Sequence, residues 1–346
     1  MVLRVSPVEL AALPAAFAEL EAGRSVALLP PQAELVSWSE PPEAPAVWMG
    51  VTSSGSTGRP KLIWRRWEEL RGAARRSQAV RGWVWASPFE PASFAGVQAA
   101  VQAWANGGRA LSLRGSWPAQ WQTLAAARVD AVSATPTFMD LLVQNEPAAG
   151  VGWAPRQITL GGEPLRPGVG RRSAARFRET RFTVIYAAAE FGVLLKTHRL
   201  DGWYELDFLK TSWPEWRVCA GALELCQAGV WRSTGDQVEV RAEAIRVIGR
   251  IDSVANVAGT KVNLAEVAEF AEQVPGVLRA VAMAESNAVT GQVVCLRFAV
   301  ASPEDAAAIT ARLQEHLRQC LRKEAWPRRW TVDEVAPAGN AKRVVR

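Results

Sequence analysis

The densest concentration of chemically useful side chains is one stretch, Thr52-Ser53-Ser54-Gly55-Ser56-Thr57-Gly58-Arg59-Pro60-Lys61. Its hydroxyls and the Lys61 ammonium are hydrogen-bond donors that would neutralise a polyphosphate. Gly55 and Gly58 let the backbone turn tightly and approach an anion. The run does not close with Gly-Lys-Ser/Thr, so it is not a Walker loop. Taken alone it also reads as a polar surface turn. Ahead of it, the apolar run Ala46 to Val51 predicts a strand, and the stretch Trp64 to Ala79 predicts a helix. The loop is therefore expected to join strand to helix, a junction that favours phosphate.

Three further groups carry chemistry. Ile158-Thr159-Leu160 runs into Gly161-Gly162-Glu163-Pro164-Leu165, where paired glycines let backbone lie against a flat ring. The strand Phe182 to Tyr186 runs into Ala187-Ala188-Ala189-Glu190. Ser233-Thr234-Gly235-Asp236 is followed closely by Val247-Ile248-Gly249-Arg250-Ile251-Asp252. A carboxylate such as Asp236 can accept both hydroxyls of a ribose, and Arg250 can fix the same sugar or a phosphate.

The elements that must position these groups are legible from periodicity. Apolar residues at helical spacing (Leu10, Leu13, Phe17, Leu20) predict a helix over Val8 to Ala22, and Ser25 to Leu29 a strand. Strands are expected at Gly82 to Ala86, Arg109 to Leu113 and Ala131 to Ala134, alternating with helices from Ser93 to Asn106 and Trp117 to Ala127. Such alternation gives a mostly parallel sheet with ligands beyond the carboxyl ends of its strands. From Trp203 the pattern changes to short strands with polar turns, an antiparallel, barrel-like appendage. After Asp252, the capping-box pattern Asn263 to Glu266 opens a helix; strands follow at Leu278 to Ala284 and Gln292 to Val300, a helix after Ser302, and a last strand at Trp330 to Val335. The expected architecture is a large layered α/β domain over 1–251 with a small antiparallel β appendage, and a small C-terminal α+β domain over 252–346.

Composition excludes several classes. A chain of 346 residues suits about two domains, and the apolar and charged fractions are those of a globular protein with a substantial core. The net charge of +6 comes from arginines scattered along the chain, which reads as a solvated surface with no nucleic-acid partner. Cys219, Cys226, Cys295 and Cys320 form no C-x-x-C pair, and His198 and His316 stand at no ligand spacing, so neither a zinc cage nor a disulfide framework is expected. No apolar run approaches a membrane span or a signal-peptide core, which makes the cytoplasm the default location.

Taken in order, these motifs resemble those of the adenylate-forming superfamily: acyl-CoA synthetases, aryl-acid ligases and the adenylation domains of peptide synthetases. The resemblance runs from about residue 45 to the end. S-S-G-S-T-G-R-P-K is similar to the family's phosphate loop, and Tyr186 to Glu190 to its Tyr-Gly-x-Thr-Glu motif. Ala187 replaces the glycine there and Ala189 the threonine. Where relatives place a histidine near the acyl pocket, Glu90 and Pro91 stand here. Pro337-Ala338-Gly339-Asn340-Ala341-Lys342-Arg343 resembles the terminal Gly-Lys loop; Lys342 is the favoured match to its catalytic lysine and Arg343 the alternative. The preamble before the phosphate loop is shorter than usual, as if much of the N-terminal subdomain were missing.

The resemblance implies ATP-dependent activation of a small carboxylic acid as an acyl-adenylate, with release of pyrophosphate and transfer to a thiol of CoA or of a carrier protein's phosphopantetheine. It implies nucleotide contacts at Thr52, Ser53, Ser54, Gly55, Ser56, Thr57, Gly58, Lys61, Gly161, Gly162, Glu163, Tyr186, Ala187, Asp236 and Arg250. Tyr186 would stack on adenine and Glu190 would hold Mg²⁺. Asp252 would be the hinge about which the small domain swings. The identity of the acid is not implied. Two other readings are open: a nucleotide-binding protein that has lost catalysis, suggested by Ala187, Ala189 and the displaced lysine, and a basic nucleic-acid binder.

Overall fold

The computed structural model describes residues 2–31, 39–42, 46–53, 61–148, 150–213, 215–227, 229–250, 254–300 and 305–333. Its backbone forms two compact units that divide between Asp201 and Gly202. The boundary expected at Asp252 lies outside the described residues.

The first unit contains two sheets with helices between and outside them. In chain order its elements are β1 (Val2–Val5), α1 (Leu13–Glu21), β2 (Ser25–Leu28), β3 (Trp48–Ser53), β4 (Lys61–Arg66), α2 (Trp67–Gly72), β5 (Val84–Ser87), α3 (Phe94–Trp104), β6 (Arg109–Ser112), α4 (Trp117–Ala126), β7 (Ala131–Ala134), α5 (Pro136–Gln144), β8 (Gln157–Gly161), α6 (Pro167–Arg176), β9 (Arg181–Ala188) and β10 (Gly192–Thr197). Strands β1 to β4 form one sheet in chain order, parallel until β4 turns back against β3. The second sheet has the order β10-β9-β8-β7-β5-β6, parallel except for β10. The alternation read from the sequence is thus present as a mostly parallel sheet.

One apolar cluster joins the layers. Phe17, Trp67, Val97 and Val101 from the helices pack with Met49 and Val51 of the first sheet and with Trp85, Ala110 and Ala131 of the second. The opposite face of the second sheet buries Val132, Ile158, Leu160 and Val184. Beyond it Trp121, fully buried, stacks on Phe177 and donates its indole N–H to the Leu142 carbonyl at 2.9 Å, so α4 is tied to α5. Loss of such a side chain costs on the order of 3–5 kcal/mol. The tryptophans here are core.

Two local devices set the helix starts. Ser93 accepts the Gly96 N–H at 3.1 Å and Thr135 accepts the Phe138 N–H at 3.1 Å, each an N-cap at the carboxyl edge of the second sheet. Gly96 has no room for a side chain: a Cβ there would stand 2.2 Å from the Glu90 carbonyl oxygen.

The second unit opens with β11 (Trp203–Glu205), α7 (Leu206–Ser212), β12 (Trp216–Cys219), β13 (Ala222–Gln227), β14 (Val230–Arg241) and β15 (Ala244–Arg250). These strands form an antiparallel sheet of order β11-β15-β14-β13-β12, open among the described residues and not closed into the barrel-like form expected. Then come β16 (Val254–Val257), β17 (Thr260–Asn263), α8 (Leu264–Glu272), β18 (Val277–Asn287), β19 (Gly291–Val300), α9 (Ala306–Cys320) and β20 (Arg329–Asp333). The sheet β17-β16-β19-β18, with β20 parallel to β19, shares a core with α8 and α9 through Leu296, Phe298, Val267, Ile309, Leu313 and Leu317. The Asn263 cap forms as the sequence suggests, its Oδ1 accepting from Ala265 N at 3.0 Å and Glu266 N at 3.4 Å. The four cysteines are free thiols. Among the described residues no helix is long and apolar enough to cross a membrane.

Candidate active site

The phosphate-loop stretch sits differently from the expectation. Residues on both sides of it are strands: Ser53 pairs with Lys61 and Thr52 with Leu62, so the stretch closes an antiparallel hairpin between β3 and β4. The expected helix begins only at Trp67. Leu62 and Trp64 pack on one face of the paired strand with Ala27 and Leu29, Ile63 packs against the apolar cluster, and the pairing with β3 overrides the helical spacing of Trp64, Trp67 and Leu70. Ser54, Gly55, Ser56, Thr57 and Gly58 lie outside the described residues. Among the described residues no helix begins at the stem of this hairpin. Lys61 at its base is exposed.

Thr52 anchors the hairpin. Its backbone N–H at 2.7 Å and its hydroxyl at 3.1 Å both donate to the carbonyl of Ala92, which precedes α3. The side chain is buried and bonded within the protein, so its contribution is to hold the hairpin beside the carboxyl end of β5. The Ser87-Pro88-Phe89 corner leads on from that strand. Arg114 ties it down, donating to the Pro88 carbonyl at 2.7 Å and facing Glu90 at 3.3 Å.

The other first-unit candidates share this carboxyl edge. Gly161 ends β8 and pairs with Ile185; a Cβ on it would approach the Ile185 carbonyl to 3.0 Å. Gly162 has φ +84°, a conformation for which glycine is suited, and a Cβ there would stand 3.6 Å from the Phe89 ring and the Thr135 methyl. Glu163 caps α5: its Oε1 accepts the Thr137 N–H at 2.5 Å, and Arg166 donates to the Thr137 hydroxyl at 3.3 Å. Tyr186 and Ala187 are half-buried within β9, which runs two residues further than expected. Ala187 and Ala189 pack against the apolar cluster between the sheets.

Glu190 is exposed in the turn from β9 to β10. Sequence reasoning missed the residue that holds this turn. Arg65 of β4 donates from Nη1 to the Glu190 carbonyl at 2.7 Å and from Nη2 to Glu69 at 3.0 Å, with its side chain 14% exposed. Gly192 leaves room for it, since a Cβ there would stand 3.2 Å from Arg65 Nη2. One arginine thus links the strand leaving the phosphate hairpin to the turn that carries the candidate metal ligand. In the sequence its only signal was membership of the scattered Arg65-Arg66 pair.

Magnesium is testable on the donor set. Among the described residues no three His, Cys, Asp or Glu side chains cluster as a metal cage. A lone exposed carboxylate fits a cation that arrives on nucleotide phosphates and keeps most of its water, which is the habit of Mg²⁺.

In the second unit, Asp236 of β14 and Arg250 of β15 are cross-strand partners, with Oδ1 and Nη1 3.6 Å apart. Asp236 is buried. Arg250 also donates to the Thr234 carbonyl at 3.1 Å and lies over Gly235, where a Cβ would meet its Nη2 at 2.7 Å. Gly235 has φ +74°, and the strand bulges just after it, between Gln237 and Val238. The two motifs separated in sequence therefore converge on one carboxylate–guanidinium pair. Asp252, Lys342 and Arg343 lie outside the described residues.

A family model described as AMP-binding enzyme matches residues 10–215. Against curated proteins the chain finds no match. Solved structures give the fold: a variant of E. coli MenE with bound OSB-AMS is similar at TM-score 0.72 and 16% identity, over 96% of this chain and 83% of that one. The amide bond synthetase McbA from Marinactinospora thermotolerans is similar at TM-score 0.66 and 18% identity, over 96% and 76%. ATP-bound MatB from Rhodopseudomonas palustris is similar at TM-score 0.65 and 15% identity, over 96% and 75%.

Proposed function

Because the chain belongs to the AMP-binding enzyme family, we propose that it activates a carboxylic acid with ATP: the carboxylate attacks the α-phosphorus in line, the bond to the bridging oxygen breaks, and pyrophosphate leaves an acyl-adenylate. The observation that carries this reading is the Thr52–Ala92 junction, since it brings the stem of the phosphate hairpin to the sheet edge where the Gly161-Gly162 corner ends β8.

Each residue then has a task. Ser53, Ser54, Ser56, Thr57 and Lys61 donate to the phosphates as charge grows on them, which is where fixed donors lower a barrier most. The Gly161-Gly162 backbone and the Tyr186 ring flank the adenine. Asp236 accepts from the ribose hydroxyls, with Arg250 holding its carboxylate. Glu190 would hold Mg²⁺, which when bound neutralises phosphate charge. Lys342, or Arg343 one residue on, delivers a further cation to the reacting phosphate. Asp252 is the hinge in this reading, residues 252–346 moving as the small domain between adenylation and transfer of the acyl group to CoA or a carrier-protein pantetheine.

A second reading, nucleotide binding without turnover, draws on Ala187 and Ala189. They pack against the core where the family's motif has a glycine and a hydroxyl. Acid-dependent exchange of labelled pyrophosphate into ATP, over aryl, fatty and amino acids, separates the two. Exchange that Glu190→Ala abolishes without unfolding supports activation. Bound ATP with no exchange for any acid supports the second reading.

A further inference from the structure

The second sheet is polar on part of the face it turns toward the first. Cα pairing sets Ser112 beside Ser87, Ser133 beside Thr159, and Thr159 beside Thr183. One row nearer the carboxyl edge stand Gly161, Ile185 and Lys196 in sequence across β8, β9 and β10. One row the other way stand Gln157 and Arg181. A helix-covered face reads apolar, as the opposite face does. Here Ser133, Gln157, Thr159, Ile185 and Lys196 remain half-buried, so the floor over β7 to β10 is polar and open.

Basic side chains stand at one side of this floor, Lys196 on β10 and Arg181 bonded to the His198 that follows it, and Arg75 adds to the positive charge that Lys196 meets. Lys196 comes from β10, Arg181 from the start of β9 and Arg75 from the stretch after α2. The Arg75 backbone is pinned by the Gln102 amide, which accepts from its N–H at 2.9 Å and donates to its carbonyl at 2.8 Å. His198 orients Arg181: Nδ1 donates to the Phe182 carbonyl at 2.7 Å, leaving Nε2 to accept from Arg181 Nη2 at 3.1 Å. Among the described residues none of the three cations pairs with a carboxylate. Burial, then the Arg181 and Arg75 charges, hold the Lys196 ammonium below the usual lysine range. The half-buried Lys196 ammonium is repelled by these exposed guanidinium charges, and a bound anion would relieve that cost.

We propose that this floor seats a second anionic group of the acid substrate, with Lys196 as its direct partner and Arg75 and Arg181 supplying the surrounding positive field. This rests on the acid-activating reading above. Lys196 and Gly161 are two strand widths apart, about 10 Å between Cα atoms. The substrate class is therefore a short acid, aliphatic or with a single ring, bearing a carboxylate or equivalent anion at the end opposite the one activated.

The test compares matched pairs, hexanoate with adipate and benzoate with isophthalate, in pyrophosphate exchange and in calorimetric titration without nucleotide. The diacids are expected to be preferred by about tenfold or more, to bind more weakly as salt rises, and to lose about tenfold to a hundredfold of that preference in Lys196→Met. Lys196→Gln serves if the methionine variant does not fold, with circular dichroism as the check. Diacid binding without exchange would sustain the anion seat and remove the activation reading. Exchange with monoacids at least as good as diacids, or a preference untouched by both Lys196 variants, would remove the anion seat and leave activation standing. A variant effect confined to the KM for CoA would likewise overturn it.

Discussion

Arg65 exemplifies what a single side chain can do that its place in the chain does not announce. It sits on the hairpin strand β4, and its fork reaches the backbone carbonyl of Glu190, in a turn more than a hundred residues away, and the Glu69 carboxylate of α2. A lysine offers no such planar pair of donors. If Glu190 holds Mg²⁺, Arg65 positions that ligand, and groups behind a metal ligand typically govern affinity tenfold to a hundredfold. Arg65→Gln is expected to raise the Mg²⁺ concentration for half-maximal exchange by about tenfold, with Arg65→Lys intermediate. An unchanged Mg²⁺ requirement in a folded Arg65→Gln protein would show that the contact is only structural. Asp236 and Arg250 stand in short motifs that the sequence displays, and they meet across β14 and β15; the link through Arg65 has no such motif.

Among the elements, strands β5 to β9 and helices α3 and α4 could be read to within about two residues, because apolar runs and capped helices alternate there; α6 and β10 were not read. Nor was the hairpin. Lys61 to Arg66 passes into Trp67 without a glycine or proline, so strand and helix merge into one apolar period, and only the partner strand β3 separates them. The Thr52 anchor depends on an element too: Ala92 is held by the close approach of Glu90 to Gly96. Gly96→Ala would drive a methyl into that carbonyl. Overpacking of this kind costs about 1–3 kcal/mol, and the displaced Ala92 would loosen the hairpin, so a lowered Tm and a raised KM for ATP are expected together. A lowered Tm with ATP affinity intact would mean that the Thr52–Ala92 junction does not position the phosphate donors.

For the whole molecule, layered α/β architecture and a following α+β module were legible because they follow from the order of periodic segments. The placing of Lys196 beside Ile185, with Arg181 bonded to His198, was not, since it depends on the register of β10 against β9. The register of β8 against β9 aligns the Gly161 corner with the strand that leads to Glu190. In the proposed reaction this frame directs a carboxylate oxygen onto the α-phosphorus of ATP. Its most direct test is isotopic. An acid identified by exchange is labelled with ¹⁸O in its carboxylate and turned over with ATP, Mg²⁺ and a thiol acceptor, and the products are read by mass spectrometry. One labelled oxygen in AMP, with unlabelled pyrophosphate, is the predicted result. Label in inorganic phosphate with ADP as the nucleotide product would place the attack on the γ-phosphorus and contradict the account.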